Sequence, residues 1–402
     1  MSPGKTKNTS ADLAVLGGTK LFDEPQHVGR PNIGDCGAFL KRVNDILDRR
    51  WLTNAGPYVQ EFERRICEIT GVRHCISMCN ATVALEIAIR ALGLKGEVIV
   101  PSFTFIATAH ALQWQEITPV FCDIDPDTHL LDPSRVEAMI TPRTSGIIGV
   151  HVWGRPCAVE ALTEVAARRN LRLMFDAAHA FGCSHRGRMI GNFGACEVFS
   201  FHATKFLNTF EGGAVVTNDD DLAARIRLMR NFGFSGYDNV IYIGTNGKMP
   251  EMAAAMGLTS LESMEDFIAA NRQNYQAYAA ALHGIPGLKM MRYDETERGN
   301  FQYIVYEVGE QASLTRDQIL TVLHAENVLA RRYFHPGCHR MQPYRVFFPH
   351  AGLLLPETEK ICARVLSFPT GTAVGAEEIA AIAQVVRLAF AHSQEVVCAL
   401  AK

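Results

Sequence analysis

The chain has 402 residues, of which 48% are apolar and 20% charged, a composition typical of globular proteins rather than disordered or fibrous ones. Its formal net charge of -3 leaves no global basic field, which disfavours binding to nucleic acid or to acidic membranes. The sequence has no apolar run long enough to predict a transmembrane helix, and its N-terminus has no secretory signal. The 11 cysteines are odd in number and include no C-x-x-C pair, so we predict a reduced, cytoplasmic protein.

The predicted elements alternate between helices and short apolar strands. Polar, Gly-rich residues 1–30 predict an extended N-terminal arm, and helical periodicity follows. Helices are predicted at 38–50, 58–70, 80–92, 106–114, 133–140, 159–169 and 221–230. Strands are predicted at 73–78, 97–101, 119–124, 146–152, 171–176, 197–201 and 213–218. This alternation indicates an α/β fold with βαβ units and a mostly parallel sheet, in which ligands lie at the carboxyl ends of the strands.

The remainder of the chain predicts a second, smaller α+β domain. One long helical pattern begins at Met252 and leads into it. The second domain is predicted to contain a strand at 301–308 and helices at 316–326, 357–365 and 376–391. We therefore divide the chain into an arm (1–30), a large domain (31–250), and a linking helix with a smaller C-terminal domain (251–402).

A lysine and an aspartate stand at the ends of two predicted strands. Lys205 follows an apolar strand end, where burial would lower the pKa of its amine and make it a nucleophile. Asp176 closes the strand LRLMFD, and a carboxylate at a buried strand end needs a cationic partner such as a protonated pyridine nitrogen. That pairing belongs to pyridoxal phosphate sites. A surface lysine and a helix-capping aspartate are the alternative interpretations.

Two further segments could contact such a cofactor. The segment NATVALEIA at 80–88 opens a helix after a strand, where backbone amides and the Thr82 hydroxyl would suit a phosphate. Phe105 falls just after another strand end, where an aromatic ring could stack on a cofactor. An ordinary helix cap and a core phenylalanine remain the alternatives.

In this order and at these spacings, the four segments resemble the DegT/DnrJ/EryC1/StrS sugar aminotransferases. The resemblance covers roughly residues 30 to 390 and includes the segments 54–63, 228–236 and 244–262. It implies a pyridoxal-phosphate enzyme of fold type I, with an aspartate-aminotransferase-like α/β architecture whose helices flank the sheet.

The resemblance also implies a role for each matching residue around the cofactor ring. Lys205 would hold the cofactor as a Schiff base, and Asp176 would pair with the pyridine nitrogen. His179 stands where the family has Gln or His near the ring hydroxyl, and Phe105 would stack on the ring. Members that act as sugar dehydratases have His in place of the lysine, so Lys205 argues against that branch.

The phosphate end of the cofactor is implied in the same way. Ala81, Thr82 and Ser200 would hold the phosphate. Asn231 resembles an Asn that the neighbouring subunit contributes to this phosphate, which implies a homodimer with shared active sites.

For the substrate, the resemblance implies a nucleotide-diphosphate keto-sugar. The motifs FHATKFLNTFEGGA and GTNGKM look most like those of enzymes that aminate C4 of dTDP-4-keto-6-deoxy-D-glucose. Such enzymes use L-glutamate and give dTDP-4-amino-4,6-dideoxy-D-glucose. Amination at C3 of a related keto-sugar is the nearest alternative, and a non-catalytic binding or regulatory protein on the same fold is another. Whether the product would serve antibiotic biosynthesis or surface polysaccharide stays open.

A diphosphate needs a local basic cluster, because the overall charge is slightly negative. The candidate cations are Lys248, Arg331, Arg332, Arg340 and Arg345. The segment 331–344 combines Arg, His, Tyr and Phe with a Pro-Gly turn, as a sugar-nucleotide loop would. We predict substrate contacts from Lys248, Arg331, His335, His339 and Tyr344. We predict no metal site, since Pro336 and Gly337 disfavour the helix that would pair the two histidines.

Overall fold

The computed structural model describes residues 5–401, and a seven-stranded sheet forms its centre. In chain order the strands are β1 (His74–Met78), β2 (Glu97–Pro101), β3 (Thr118–Cys122), β4 (Thr144–Val150), β5 (Arg172–Asp176), β6 (Glu197–Ser200) and β7 (Gly213–Thr217). Their spatial order is β1-β7-β6-β5-β4-β2-β3. Strand β7 runs antiparallel to both of its neighbours, and every other pair in the sheet is parallel. The predicted mostly parallel sheet is therefore confirmed.

Helices cover both faces of this sheet. The first seven are α1 (Cys36–Arg49), α2 (Pro57–Thr70), α3 (Ala81–Ala91), α4 (Ala107–Gln113), α5 (Pro133–Val136), α6 (Val159–Arg169) and α7 (Asp220–Arg230). Because strand side chains alternate, Ile148 packs in the core formed with α3, α4 and α7, whereas Ile147 packs in the core formed with α6. Within residues 5–401, no helix is both long enough and apolar enough to cross a membrane.

The predicted long linking helix is wrong, because the structure has two helices there. Helix α8 (Glu251–Glu262) ends at Ser263, whose backbone dihedrals (φ -104°, ψ 9°) leave the helical range, and α9 (Met264–Ala281) starts immediately afterwards. A break at one residue leaves the hydrophobic period almost unchanged, so the sequence pattern does not reveal it.

A second, antiparallel sheet follows, built from β8 (Leu288–Met290), β9 (Ile304–Val308) and β10 (Val365–Phe368). The remaining helices are α10 (Arg316–Ala325), α11 (Tyr344–Phe347), α12 (Pro356–Arg364), α13 (Ala376–Ala391) and α14 (Ser393–Leu400). Strand β9 begins at Ile304 rather than at the predicted residue 301, because Phe301, with a φ of 49°, lies outside the extended range. The domain boundaries at residues 30 and 250 stay a prediction.

The N-terminal segment differs from the predicted extended arm. Leu13, Leu21 and Phe22 are buried in the core that contains α10 and α13. Lys7 forms a buried ion pair with Glu326 at 2.9 Å. Segment 26–27 also pairs in parallel with segment 328–329. A few apolar residues among polar ones are thus enough to fix this segment on the second half of the chain.

Candidate active site

Four strands of the central sheet end at one cleft with a volume of about 280 Å³. Strands β1, β2, β5 and β6 bring their carboxyl ends together here, as expected for ligand sites in parallel sheets. The predicted cofactor residues that line this cleft are Ala81, Thr82, Phe105, Asp176, His179, Ser200 and Lys205. The topology therefore brings together side chains that are up to 124 positions apart in the sequence (205 − 81).

Lys205 lies on an irregular segment between β6 and β7 that the rest of the protein holds in place. The Asn32 side chain donates to the Phe206 carbonyl at 2.9 Å, and the Gln302 side chain donates to the Thr204 carbonyl at 3.2 Å. Burial among protein atoms lowers the pKa of the Lys205 amine to about 8, although the charge of Asp176 acts in the opposite direction. A substantial fraction of this amine is therefore neutral, and nucleophilic, near physiological pH.

Asp176 is the buried carboxylate of the cleft. It accepts hydrogen bonds from the Thr108 hydroxyl at 2.8 Å and from the Ala178 backbone N–H at 3.1 Å. Burial nevertheless raises the pKa of this carboxyl above its ordinary value. A cation placed against it would offset the cost of burying the charge, which is the environment that a protonated pyridine nitrogen provides.

His179 is neutral, and its proton is on a defined ring nitrogen. Burial, assisted by the charge of Lys205, lowers the pKa of this imidazole well below its ordinary value. The Trp153 backbone N–H donates to Nδ1 at 3.1 Å, so Nδ1 is an acceptor and Nε2 carries the proton. His179 thus offers one N–H donor from Nε2.

The start of α3 forms the end of the cleft that suits a phosphate. The Asn80 side chain caps the helix by accepting from the Val83 N–H at 2.9 Å. The Ala81 and Thr82 N–H groups lie in the first turn, where a helix has no internal acceptors for them, and the helix dipole favours an anion. Gly213 allows this approach, because a Cβ there would lie only 2.6 Å from the Ala81 nitrogen.

Phe105 stands on the open side of the cleft. Its side chain is 57% exposed, which is unusual for a large apolar residue following a buried strand. The core-phenylalanine alternative is therefore wrong, and the ring is available to a bound group.

Asn231 and Lys248 form a separate pair on the surface. The Lys248 amine donates to Asn231 Oδ1 at 3.0 Å and lies 5.0 Å from the ring centroid of Phe232. Neither residue is among those that line this chain's own cleft.

The segment 331–344 divides into two parts. Arg331 and His335 line a second cavity, of about 340 Å³, that shares Phe105, Tyr333 and Phe334 with the cleft. The Arg331 guanidinium lies over the ring of Tyr333, 5.3 Å from its centroid. These two predicted substrate residues therefore lie next to the cofactor residues.

His339 and Tyr344 do not fit the predicted role in substrate binding. His339 is buried, with Nδ1 at 2.7 Å from the Ser102 hydroxyl and Nε2 at 2.8 Å from a Glu359 oxygen. Tyr344 is fully buried, and its hydroxyl is 2.8 Å from His110 Nδ1. Both side chains have their polar atoms satisfied inside the protein, so the prediction is corrected for them.

Two of the other candidate cations are paired with carboxylates. Arg332 contacts Asp317 at 3.0 Å, and Arg340 contacts Glu359 at 2.5 Å. Arg345 lies on the short helix α11, within reach of the Gln342 side chain. Of the five candidate cations, Arg331 and Arg332 line the cavity beside the cleft, and Arg332 is the one of these two that is paired with a carboxylate.

The cleft also contains residues that sequence reasoning missed. One of its walls is formed by Tyr303, Tyr333 and Phe334, and the Thr108 hydroxyl donates a hydrogen bond to Asp176. Thr108 lies three residues after Phe105 at the start of α4, and this spacing could have indicated it. The aromatic wall comes from the second half of the chain, and no local pattern relates it to Lys205.

The residues present fit pyridoxal phosphate. The cleft combines an amine with a lowered pKa, a buried carboxylate for a cationic ring nitrogen, a single N–H donor and a free helix N-terminus. In residues 5–401, no group of three or more His, Cys, Asp or Glu side chains is arranged to hold a metal ion.

Known proteins are similar to this chain over three quarters of its length or more. A dTDP-4-amino-4,6-dideoxy-D-glucose transaminase from Shigella dysenteriae is 38% identical over 80% of this chain and 88% of its own. A GDP-perosamine synthase from Caulobacter vibrioides is 39% identical over 75% of this chain and 82% of its own. The crystal structure of DesI in the presence of its TDP-sugar product has a TM-score of 0.93 and 51% identity, covering 98% of this chain and all of DesI.

The sequence profile described as the DegT/DnrJ/EryC1/StrS aminotransferase family matches residues 36–387. That range includes every residue of the cleft named above. The chain belongs to the DegT/DnrJ/EryC1/StrS aminotransferase family and is a pyridoxal-phosphate-dependent sugar aminotransferase of fold type I.

Proposed function

We propose that the protein transfers the amino group of L-glutamate to the C4 keto group of dTDP-4-keto-6-deoxy-D-glucose. The product is dTDP-4-amino-4,6-dideoxy-D-glucose. The observation that carries the proposal is the meeting of Lys205, Asp176 and the N-terminus of α3 in one cleft. The choice of sugar is supported by the likeness to the Shigella transaminase and to DesI.

Lys205 and Asp176 perform the chemistry in this proposal. When bound, pyridoxal phosphate supplies an aldehyde that receives the amino group and a ring that accepts the electron pair of the broken C–H bond. Lys205 would attach the cofactor, and after its release the amine would take a proton from the donor carbon as a base and deliver it to the cofactor's methine carbon as an acid. The Asp176 carboxylate holds a proton on the ring nitrogen, which keeps the ring an electron acceptor.

The remaining cofactor residues orient pyridoxal phosphate in this proposal. His179 would donate from Nε2 to the ring hydroxyl, and Phe105 would cover one face of the ring. The first-turn amides of Ala81 and Thr82, with the Ser200 hydroxyl, hold the phosphate.

Substrate enters through the neighbouring cavity in this proposal. Arg331 and His335 line it, and it shares an aromatic wall with the cofactor cleft. The face of the Arg331 guanidinium lies over the ring of Tyr333. The N–H groups at the edge of the guanidinium plane therefore stay available to bind one phosphate of the diphosphate.

We also propose a cytoplasmic homodimer. Helix α1 exposes Leu40 and Leu47, and the segment 232–243 exposes Ile243 and Tyr237, so two regions present large apolar side chains. Asn231 at the start of that segment would then reach the cofactor phosphate of the neighbouring subunit. The cytoplasmic setting is supported by the cysteines, which are all free thiols.

A GDP-linked sugar is the second candidate substrate, favoured by the 39% identity to the GDP-perosamine synthase. Amination at C3 is the third. The test is incubation of the loaded enzyme with ¹⁵N-labelled L-glutamate and each of three keto-sugars: the dTDP-linked 4-keto, the GDP-linked 4-keto and the dTDP-linked 3-keto compound. NMR should show ¹⁵N on C4 of the dTDP-linked sugar. Label on C3, or faster turnover of the GDP-linked sugar, would replace the proposal with the corresponding alternative.

A further inference from the structure

Tyr303 stands beside the Lys205 amine in the wall of the cleft. The Lys205 Nζ donates to the Tyr303 hydroxyl at 3.4 Å. This separation is long for a hydrogen bond, and such contacts in active sites shorten when the reacting groups are in place. The tyrosine therefore touches the atom on which the proposed chemistry depends.

The ring of Tyr303 is fixed from several sides. Its centroid lies 4.5 Å from that of His179 and 6.3 Å from that of Tyr333. The hydroxyl of Tyr293 lies 3.3 Å from the Tyr303 backbone N–H and 3.0 Å from its carbonyl oxygen. Because these contacts hold Tyr303, its hydroxyl has little freedom to move. The hydroxyl can therefore hold the Lys205 amine in place.

The chemistry of a buried phenol suits a lysine that changes its protonation state. Burial raises the pKa of the Tyr303 phenol well above its ordinary value, so it stays neutral throughout the working pH range. A neutral hydroxyl accepts from an ammonium group and donates to a neutral amine. It can therefore remain bonded to Lys205 both before and after the lysine accepts a proton.

We propose that Tyr303 is a positioning residue that holds the released Lys205 amine at the reacting carbon in both of its protonation states. The inference rests on the proposed role of Lys205. A purely structural role for the Tyr303 ring is the competing explanation, and Tyr303→Phe separates the two because it keeps the ring contacts and removes only the hydroxyl.

The experiment measures how fast the cofactor-free protein attaches pyridoxal phosphate at different pH values. Absorbance gives the rate, and borohydride trapping followed by peptide mapping identifies the lysine. The matched control is Tyr278→Phe, since Tyr278 is fully buried and its hydroxyl has no hydrogen-bond partner. A second variant, Tyr293→Phe, loosens the Tyr303 backbone and leaves the Tyr303 hydroxyl in place.

At high pH, where Lys205 is fully deprotonated, the attachment rate reaches a plateau. We expect this plateau to fall about tenfold in Tyr303→Phe and about twofold in Tyr293→Phe. The reason is that a misplaced amine reacts more slowly even when it is fully deprotonated. Tyr278→Phe should match the unchanged protein. A plateau that stays the same in both Tyr303→Phe and Tyr293→Phe would overturn the inference, as would a change confined to the pH midpoint. Trapping at another lysine in the unchanged protein would instead refute the role of Lys205.

Discussion

The cofactor cleft and the segment 331–344 are both rich in polar residues, yet they use them differently. In the cleft, Lys205, Asp176 and His179 point into one cavity at the carboxyl edge of the sheet. In the segment, His339 and Tyr344 turn inward and bind Ser102, Glu359 and His110. Asp176 is placed by the end of a parallel strand, and the segment that carries Lys205 is held by the side chains of Asn32 and Gln302. His339 and Tyr344 instead have their polar atoms satisfied within the protein.

We expect the largest effect on activity from the replacement of Lys205. Lys205→Ala should abolish covalent attachment of the cofactor and lower turnover at least about 10³-fold, as expected when a nucleophile and its acid–base function are lost together. The control is Lys289→Ala, which removes an exposed lysine outside the cleft. Full turnover in the Lys205→Ala enzyme would show that the chemistry takes place elsewhere.

Asp176→Asn should have the next largest effect. The amide has nearly the shape of the carboxylate and cannot hold a proton on the ring nitrogen, so turnover should fall about 10²- to 10³-fold. Thr108→Val removes one hydrogen bond to Asp176 and should give a smaller loss. Steady-state kinetics of the two variants checks this order, which is contradicted if Thr108→Val is the more damaging change.

Arg331→Ala should affect binding and leave the chemistry intact. Loss of one charge-assisted contact to a phosphate corresponds to about 1.5–3 kcal/mol, so the KM for the nucleotide sugar should rise about tenfold or more while kcat changes little. Arg340→Ala is the matched control, because Arg340 is paired with Glu359 at the surface. An equal rise in KM for both variants would remove the distinction between the two parts of the segment.

His339→Ala should lower stability without changing KM. The change removes the contact of the imidazole with the buried Ser102 hydroxyl and its contact with Glu359, which keeps Arg340 as a partner, at a cost of about 1–3 kcal/mol in the free energy of unfolding. Tyr344→Phe loses only the contact with His110 and should cost about 1 kcal/mol. Denaturant unfolding and the KM for the nucleotide sugar are the measurements. A raised KM with unchanged stability would restore the substrate role that was predicted from the sequence.

The smallest effect to be measured is that of pH on Lys205. Its folded-state pKa of about 8 lies below its ordinary value, so the amine gains nucleophilicity as the pH rises through about 8. The rate of cofactor attachment by the cofactor-free protein should increase across that range and then level off. A rate that keeps rising to about pH 10, the ordinary lysine range, would show that the amine is not desolvated.

The sequence predicted the mostly parallel sheet and seven residues that line its cleft, for a physical reason. Apolar strands such as LRLMFD have a strong local signal, and the parallel topology then places Asp176 and Ser200 at one edge. The docking of Leu13 and Phe22 and the wall formed by Tyr303 depend on contacts between distant parts of the chain, and the break at Ser263 leaves the hydrophobic period almost unchanged. Hydrophobic periodicity and residue spacing contain no information about such contacts, so these features required the structure.

Peptide mapping of the loaded protein after borohydride reduction tests the central claim most directly. Reduction fixes pyridoxal phosphate to the lysine that holds it. We expect a single label, on Lys205 in the segment that follows β6. The Asp176→Asn protein should carry the label on the same lysine. A label on Lys248, Lys289 or any other lysine, or no label at all, would contradict the role of Lys205 as the lysine that holds the cofactor.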